Sequence, residues 1–345
     1  MATIGVLATG GTIAGEASRP DDGVGYRAGQ RPVTELLRIP GIEEVLDGDT
    51  LQTEQIAQLD SKDMDYGTWQ ALAMACVRWL ERPDVRAVVI THGTDTLEET
   101  AYFLWRVLGC APGAAVWRHK PVVLACAMRP ATARSPDGPQ NLADALSVAR
   151  DPQAQGVLAV CAGKVFDARD VQKVEPYRLD AFSGGDAGCV AYVEEGRLRW
   201  LRAPRPLAER LPLDPQSVAG LWQCLQQTPP RAWPWVELLG SHAGQTGRAL
   251  HALVAAGAEG VVVVGTGNAT VHRALEEVVR GAAARQDTPV IWRTTRCMQG
   301  RAVSATVRGD VRASEETIPL CPDALPPLKA RIALLLELMG RRSEV

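Results

Sequence analysis

Apolar residues occur along this chain in two patterns. Short continuous runs are typical of buried strands, and stripes with helical spacing are typical of amphipathic helices. Short, mainly apolar runs, which predict strands covered on both faces, occur at Ile4–Ala8, Val85–Thr91, Pro121–Cys126 and Val157–Cys161. A stripe of apolar positions with helical spacing, from Trp69 to Leu80, precedes the second run. Strands that alternate with helices predict an α/β fold with an open, mostly parallel sheet and helices on both faces.

The pattern changes between Pro204 and Pro234, where prolines cluster and only a short helix near 217–226 is predicted. Beyond this stretch, strands are predicted again at Trp235–Leu239, Gly260–Gly265 and Pro289–Thr294. The chain is therefore expected to form a larger N-terminal domain over 1–203, a linker over 204–233, and a smaller C-terminal α/β domain of flavodoxin-like type over 234–345.

Two threonine-rich motifs follow predicted strands, Thr-Gly-Gly-Thr-Ile-Ala-Gly at 9–15 and Thr-His-Gly-Thr-Asp-Thr at 91–96. In open parallel sheets, ligands bind at the carboxyl ends of the strands, where both motifs are expected. A threonine hydroxyl becomes a useful nucleophile only with a base or a proton relay. The candidate relays are a tyrosine, or a lysine desolvated enough to lose its proton. The motifs therefore predict a nucleophilic site.

Residues around these motifs have further expected roles. The amides of Gly10 and Gly11 could approach a substrate closely and form an oxyanion hole, whereas neither nucleotide-binding glycine pattern is present. Thr96 and Glu99 have the spacing of a capping box at a helix start. We expect His92 to be a structural, hydrogen-bonded residue rather than a base.

The polar segment 14–31 contains one tyrosine, Tyr26, and too few apolar residues to form a core. It is either a plain surface loop or a mobile lid that brings Tyr26 to the site. Its position directly after a candidate nucleophile favours the lid.

Composition excludes several classes of function. The 345 residues carry a formal charge of −3, so neither nucleic acid nor an anionic membrane is an expected partner. No apolar run is long enough to span a bilayer, and no signal peptide is recognisable. The eight cysteines form no metal-binding pattern. We therefore expect reduced thiols, a cytoplasmic location, and no metal or cofactor.

The motifs, taken together, resemble those of the bacterial-type L-asparaginases, a family that includes glutaminase-asparaginases. The two signatures are Thr-Gly-Gly-Thr-Ile-Ala at 9–14 and His-Gly-Thr-Asp-Thr at 92–96. Four other segments of the chain are similar to family blocks in the same order, namely 60–64, 127–130, 168–173 and 265–268. The resemblance extends over nearly the whole chain.

The resemblance implies catalytic roles for five residues. Thr12 would be the nucleophile, and Tyr26 would relay its proton. Thr94, Asp95 and Lys173 would form a second hydrogen-bonded set that polarises the site. Lys173 lies in an Ala-Arg-Asp-Val-Gln-Lys block at 168–173 that resembles the family's lysine block, whereas the neighbouring Lys164 has no such context.

The resemblance also implies substrate contacts. Ser61 would hold the α-carboxylate and Asp95 the α-ammonium, with Asp60, Lys62 and Thr94 beside them. Thr270 would approach the site of a neighbouring subunit. Lys62 and Thr270 both differ from the residues usual in the family, so selectivity is expected to be tuned at these positions.

The implied reaction is acyl transfer. L-Asparagine would form a β-aspartyl ester on Thr12, release ammonia, and be hydrolysed to L-aspartate without a metal or cofactor. The implied assembly is a homotetramer built as a dimer of dimers. Three alternatives remain open: a glutaminase-asparaginase, an amidotransferase subunit that supplies ammonia to tRNA-bound glutamate, and a non-enzymatic amino-acid sensor. The presence of all five catalytic residues disfavours the sensor.

Overall fold

A computed structural model describes residues 1–207, 215–283, 288–303 and 317–342. The chain divides into two compact units, Met1–Leu211 and Pro212–Val345. The helix predicted near 217–226 is present as Pro215–Gln227. The predicted domain bounds of 1–203 and 234–345 stay a proposal, and residues 208–214 of the predicted linker lie outside the described part of the chain.

An open sheet of eight strands forms the centre of the first unit, as far as the structure describes it. The strands of this unit are β1 (Thr3–Gly10), β2 (Thr50–Leu59), β3 (Val85–Thr91), β4 (Val122–Ala125), β5 (Val157–Cys161), β6 (Lys164–Asp167), β7 (Gln172–Lys173), β8 (Phe182–Ser183), β9 (Ala191–Glu194) and β10 (Arg197–Trp200). The large sheet has the order β10-β9-β6-β5-β4-β3-β1-β2, and β7 pairs separately with β8. The pairs from β2 to β5 are parallel, and those from β5 to β10 are antiparallel.

Helices cover both faces of this sheet. They are α1 (Val33–Leu36), α2 (Ile42–Leu46), α3 (Tyr66–Leu80), α4 (Leu97–Gly109) and α5 (Gly138–Arg150). On one face, Ile4 and Val6 of β1 share a core with residues of α5, against which α1 and α2 pack. On the other face, Gly5 leaves room for Trp79 of α3, since a Cβ at Gly5 would lie 2.5 Å from the Trp79 ring. The predicted open α/β sheet is confirmed.

The second unit is smaller and also α/β. Its described elements are α6 (Pro215–Gln227), β11 (Val236–Gly240), α7 (Arg248–Ala255), β12 (Gly260–Gly265), α8 (Arg273–Ala283), β13 (Val290–Thr295) and α9 (Pro327–Arg342). The three strands are parallel, in the order β11-β12-β13. Val261 and Val263 pack with residues of α7 and α8, while Gly260 meets Leu334 of α9. In the described ranges, no helix has the length and apolar character needed to cross a membrane.

The strand order creates a crevice at the carboxyl end of β1. β1 lies between β2 and β3, so the chain leaves β1 toward one neighbour and later returns as the other. Adjacent strands whose connections run to opposite sides leave room between their loops, and ligands bind there in open α/β sheets. Both threonine motifs begin at this point, because one follows β1 and the other follows β3.

Candidate active site

Three turns converge at the carboxyl ends of β1, β2 and β3 because glycines allow their backbones to touch. Gly11 has a φ of 80°, and a Cβ there would lie 2.3 Å from the backbone N of Gly93. A Cβ at Gly93 would in turn lie 2.4 Å from Oγ of Ser61. Only glycine fits at such close approaches. The two threonine motifs and the Ser61 turn therefore form one site.

Gly11 of the first motif serves this packing rather than an oxyanion hole. The amide of Gly11 donates to the carbonyl of Leu59 at 2.8 Å. A donor already bound in this way is not free for a substrate oxygen. The expectation that the Gly11 amide stabilises an oxyanion is therefore wrong.

Thr12 lies directly after β1 and is almost fully buried, with 7% of its surface exposed. Its Oγ1 lies 2.6 Å from the hydroxyl of Tyr26. The segment that carries Tyr26 folds back on itself through an antiparallel bridge between Glu16 and Arg27, and the amide of Gly29 donates to the carbonyl of Gly11. The chain that follows the candidate nucleophile thus places Tyr26 on the Thr12 hydroxyl.

The environment of Tyr26 keeps its phenol protonated. Burial raises the pKa of Tyr26 above its usual value, and the carboxylates of Asp60 and Asp95 raise it further, while the Thr12 hydrogen bond and the Lys62 ammonium act in the opposite direction. The net shift is upward, so Tyr26 is neutral at neutral pH. A neutral phenol can accept one proton and donate another, as a relay requires.

A second cluster joins Lys173 to the other motif. Nζ of Lys173 donates to Oγ1 of Thr94 at 2.8 Å and to Oδ1 of Asp95 at 2.6 Å. Lys164 is directed elsewhere, because its Nζ lies 2.8 Å from Oδ1 of Asp180. In the described part of the chain, Oδ2 of Asp95 has no partner, and the side chain is 53% exposed. The Asp95 carboxylate can therefore bind both Lys173 and an external cation.

Ser61 is buried, and its hydroxyl accepts a hydrogen bond from the amide of Asp95 at 3.2 Å. The Ser61 hydrogen is thus left to donate to an acceptor such as a carboxylate. The hydroxyl of Thr96 donates to the carbonyl of Ser61 at 2.8 Å. Thr96 is the N-cap of α4 without a side-chain capping bond, so the predicted capping box is wrong. Its hydroxyl instead connects the turn before α4 with the turn that contains Ser61.

The remaining predicted contacts are placed as follows. Nζ of Lys62 lies 2.6 Å from Oδ2 of Asp60, and the Lys62 side chain is 62% exposed. Asp60 also caps the short helical turn that contains Ser61. Thr270 lies in the loop after β12 of the second unit, where its hydroxyl lies 2.9 Å from that of Thr266. Asp60, Ser61 and Lys62 lie on the same turn as each other, and Thr270 belongs to the other unit.

His92 is a structural residue in this arrangement, as expected. It is completely buried, and its Nδ1 lies 2.7 Å from the carbonyl of Gly93, so Nδ1 carries the hydrogen. Burial lowers the pKa of His92 from 6.5 to about 4, although the Gly93 hydrogen bond opposes the shift. The imidazole is neutral at neutral pH and contributes packing and one hydrogen bond.

This shift predicts a pH dependence of stability. The pKa of His92 is about 4 when folded and near 6.5 when unfolded. Between these values the unfolded chain binds more protons, so the free energy of unfolding falls as pH drops from 6.5 to 4. The loss from this residue is up to about 3 kcal/mol, measured by denaturant unfolding. His92→Asn should flatten the dependence.

His242 offers a matched control, because its Nδ1 also lies close to the carbonyl of the next residue, Ala243, at 2.8 Å, but the side chain is exposed. His242→Asn should leave the slope of the wild type unchanged. Equal slopes for wild type and His92→Asn would contradict the assignment.

Sequence reasoning missed one buried carboxylate in this region. Oε2 of Glu98 accepts a hydrogen bond from the amide of Lys173 at 2.7 Å, and Glu98 is 7% exposed. The spacing of Glu98 in the sequence indicates that this carboxylate is buried. Glu98 precedes Ala101 by three residues and so continues the apolar stripe of α4, where a carboxylate needs a specific partner.

Comparison with known proteins agrees with the fold. Residues 3–206 match the model of the family described as "Asparaginase, N-terminal", and residues 235–344 match "Glutaminase/Asparaginase C-terminal domain". The chain belongs to the asparaginase family. A curated relative from this family, "Probable L-asparaginase periplasmic" of Haemophilus influenzae, is 33% identical over 342 residues, covering 98% of this chain and 89% of that protein.

Other asparaginase relatives are similar along most of the chain. A "Glutaminase-asparaginase" of Pseudomonas aeruginosa is 33% identical over 275 residues, which is 79% of this chain and 69% of that protein. Among solved structures, "Probable Cytoplasmic L-asparaginase from Campylobacter jejuni" has a TM-score of 0.81 and 31% identity, and the match covers 100% of this chain and 98% of that one. The asparaginase fold thus extends over both units.

Proposed function

We propose that the protein hydrolyses L-asparagine to L-aspartate and ammonia through a covalent acyl ester on Thr12. The observation that carries the proposal is the 2.6 Å contact between Thr12 Oγ1 and the Tyr26 hydroxyl. This pair lies where the first motif touches the second, which bears Thr94 and Asp95. A buried hydroxyl with a proton relay is the arrangement that threonine requires for nucleophilic attack.

Substrate binding uses the polar groups that remain free around the three turns. The Ser61 hydroxyl donates to the α-carboxylate of asparagine, because its oxygen already accepts from the Asp95 amide. Oδ2 of Asp95 receives the α-ammonium. Asp60 and Lys62 contribute charge at the same end of the site, and Thr270 contributes from a neighbouring subunit. These contacts hold the side-chain amide against Thr12 and convert attack into an intramolecular step.

The chemistry proceeds in two acyl transfers. Oγ1 of Thr12 attacks the amide carbon while its proton passes to the Tyr26 oxygen, and the Tyr26 hydroxyl gives up its own hydrogen toward the amide nitrogen. The C–N bond then breaks, and the protonated nitrogen leaves as ammonia. Water then attacks the β-aspartyl ester, which releases aspartate and restores the Thr12 hydroxyl. The Lys173 ammonium donates to Thr94, so the Thr94 hydrogen points toward another acceptor and polarises the site.

Glutamine is the second candidate substrate. Three curated relatives carry the name "Glutaminase-asparaginase", from Pseudomonas aeruginosa, Pseudomonas fluorescens and Acinetobacter glutaminasificans. The same nucleophile and relay serve either amide, and the two substrates differ by one methylene. A single methylene changes binding by only about 1–3 kcal/mol in a pocket. We therefore expect asparagine to be preferred and glutamine to be a slower substrate.

We further propose a cytoplasmic homotetramer, built as a dimer of dimers. A reducing compartment is consistent with the eight cysteines, all of which are free thiols. The structural relative from Campylobacter jejuni is itself described as probable cytoplasmic. The assembly is proposed from the family resemblance, in which a neighbouring C-terminal domain closes each site.

Side-by-side kinetics with L-asparagine, L-glutamine and D-asparagine test the substrate. We expect equimolar ammonia and L-aspartate from L-asparagine, with the highest kcat/KM of the three. Ammonia is measured by a coupled assay and aspartate by chromatography, with heat-denatured protein as the blank. No turnover of L-asparagine at millimolar concentration would contradict the proposal, and a higher kcat/KM for L-glutamine would favour the second candidate.

A further inference from the structure

The strand that carries Lys173 has little support of its own. β7 contains only Gln172 and Lys173, and it pairs with the equally short β8 outside the large sheet. An isolated pair of short strands is marginal in stability. The position of the lysine must therefore be fixed by contacts other than its own sheet.

Glu98 supplies such a contact from the first turn of α4. Its Oε2 accepts the hydrogen bond of the Lys173 amide at 2.7 Å. Glu98 is 7% exposed, so water competes little for this bond. A negative charge in the first turn of a helix is also favoured by the helix dipole. Glu98 is thus well placed to hold the backbone of β7.

The other end of the same lysine is held by the turn that precedes α4. Nζ of Lys173 donates to Thr94 and to Asp95, only a few residues before Glu98 in the chain. The segment 94–98 therefore binds Lys173 at two points, its backbone amide and its ammonium. If the hydrogen bond from the Lys173 amide to Glu98 is lost, the backbone at Lys173 can shift. Nζ then no longer reaches both Thr94 and Asp95.

We propose that Glu98 is a positioning residue that acts through the Lys173 amide to hold the ammonium on Thr94 and Asp95. This inference rests on the proposed function only in assigning a catalytic purpose to the lysine. The hydrogen bond itself, and not the charge of Glu98, is the essential feature. Glutamine can supply the same acceptor, whereas alanine cannot.

Steady-state kinetics on L-asparagine separate these cases. Glu98→Ala should lower kcat between about tenfold and a hundredfold, the range expected when a catalytic group is displaced by about 1 Å. Glu98→Gln should stay within about threefold of wild type. Glu99→Ala removes the neighbouring carboxylate and leaves the Glu98 bond in place, so it should resemble wild type. A kcat for Glu98→Ala within twofold of wild type, or equal losses for Ala and Gln, would overturn the proposal.

A double-mutant cycle shows whether Glu98 acts through the lysine. In a Lys173→Met background, Glu98→Ala should lower the residual kcat by less than about twofold, because the group that it positions is gone. If Glu98→Ala lowers kcat by the same factor in the Lys173→Met background as in wild type, the proposal would be overturned. If Glu98→Ala does not fold, Glu98→Asp replaces it, since it draws the carboxylate back by one methylene. The Glu98→Asp variant must then be impaired while the Glu98→Gln variant stays active. Equal activities of these two variants would overturn the proposal.

Lysine labelling tests the positioning without any turnover. Acetic anhydride should modify Lys173 several-fold faster, relative to Lys164, in Glu98→Ala than in wild type or Glu98→Gln, as read by peptide mass spectrometry. An unchanged ratio would overturn the proposal. Failure of the proposed function is a separate result, namely wild-type protein that releases no ammonia from any amide tested.

Discussion

Thr12→Ala should lower kcat for L-asparagine by about a thousandfold or more, because it removes the proposed nucleophile and leaves only substrate binding and polarisation. The thermal midpoint should change little, since the Thr12 side chain makes its hydrogen bond to Tyr26 in the site rather than to the sheet. The measurement is ammonia release at saturating substrate, with thermal unfolding in parallel.

Thr12→Ser is the matched control for this prediction. Serine keeps a hydroxyl at the distance of the Tyr26 relay and should retain measurable turnover. If Thr12→Ala works as well as wild type, Thr12 is not the nucleophile. Thr94, another buried threonine of the site, would then be the next candidate.

Lys173→Met should lower kcat by about a hundredfold to a thousandfold. The substitution keeps an unbranched side chain, one atom shorter than lysine, but removes the ammonium that donates to Thr94 and pairs with Asp95. Loss of a positioned proton-handling group typically has an effect of this size. KM should also rise, because Asp95 loses the partner that orients its carboxylate toward the substrate ammonium.

Lys164→Met provides the comparison for the lysine. Lys164 lies on β6 and pairs with Asp180, away from Thr94. Its substitution should leave kcat within about twofold of wild type, as is usual for a surface ion pair. If Lys164→Met were the more damaging of the two, the assignment of the site lysine would be wrong. Initial rates over a range of L-asparagine concentrations give both kcat and KM.

Buried strands were the part of the fold most readily predicted from the sequence. Val85–Thr91 and Gly260–Gly265 have the same bounds in the structure as in the apolar pattern, because both faces of each strand are covered. β2 was missed, since it forms an edge of the large sheet and many of its residues are exposed. Its Thr, Gln and Glu side chains give no apolar pattern to detect.

Less of the site than of the fold was predictable from the residue pattern alone. The motifs themselves indicated threonines at strand ends, but their roles came from the family resemblance. Backbone contact between Gly11 and Gly93 depends on strand order, which residue periodicity does not encode. The bond from Lys173 to Glu98 joins residues 75 positions apart and was likewise not visible. Thr96 had a local capping pattern, but a contact with Ser61 from another turn prevailed.

The covalent intermediate is tested most directly by acid quenching of the wild-type protein during turnover of saturating L-asparagine, followed by peptide mass spectrometry. We predict a β-aspartyl ester on the peptide that contains Thr12, and on no peptide of the Thr12→Ala protein. An ester on Thr94 or on any other residue, or no ester in protein that is releasing ammonia under the same conditions, would contradict the account.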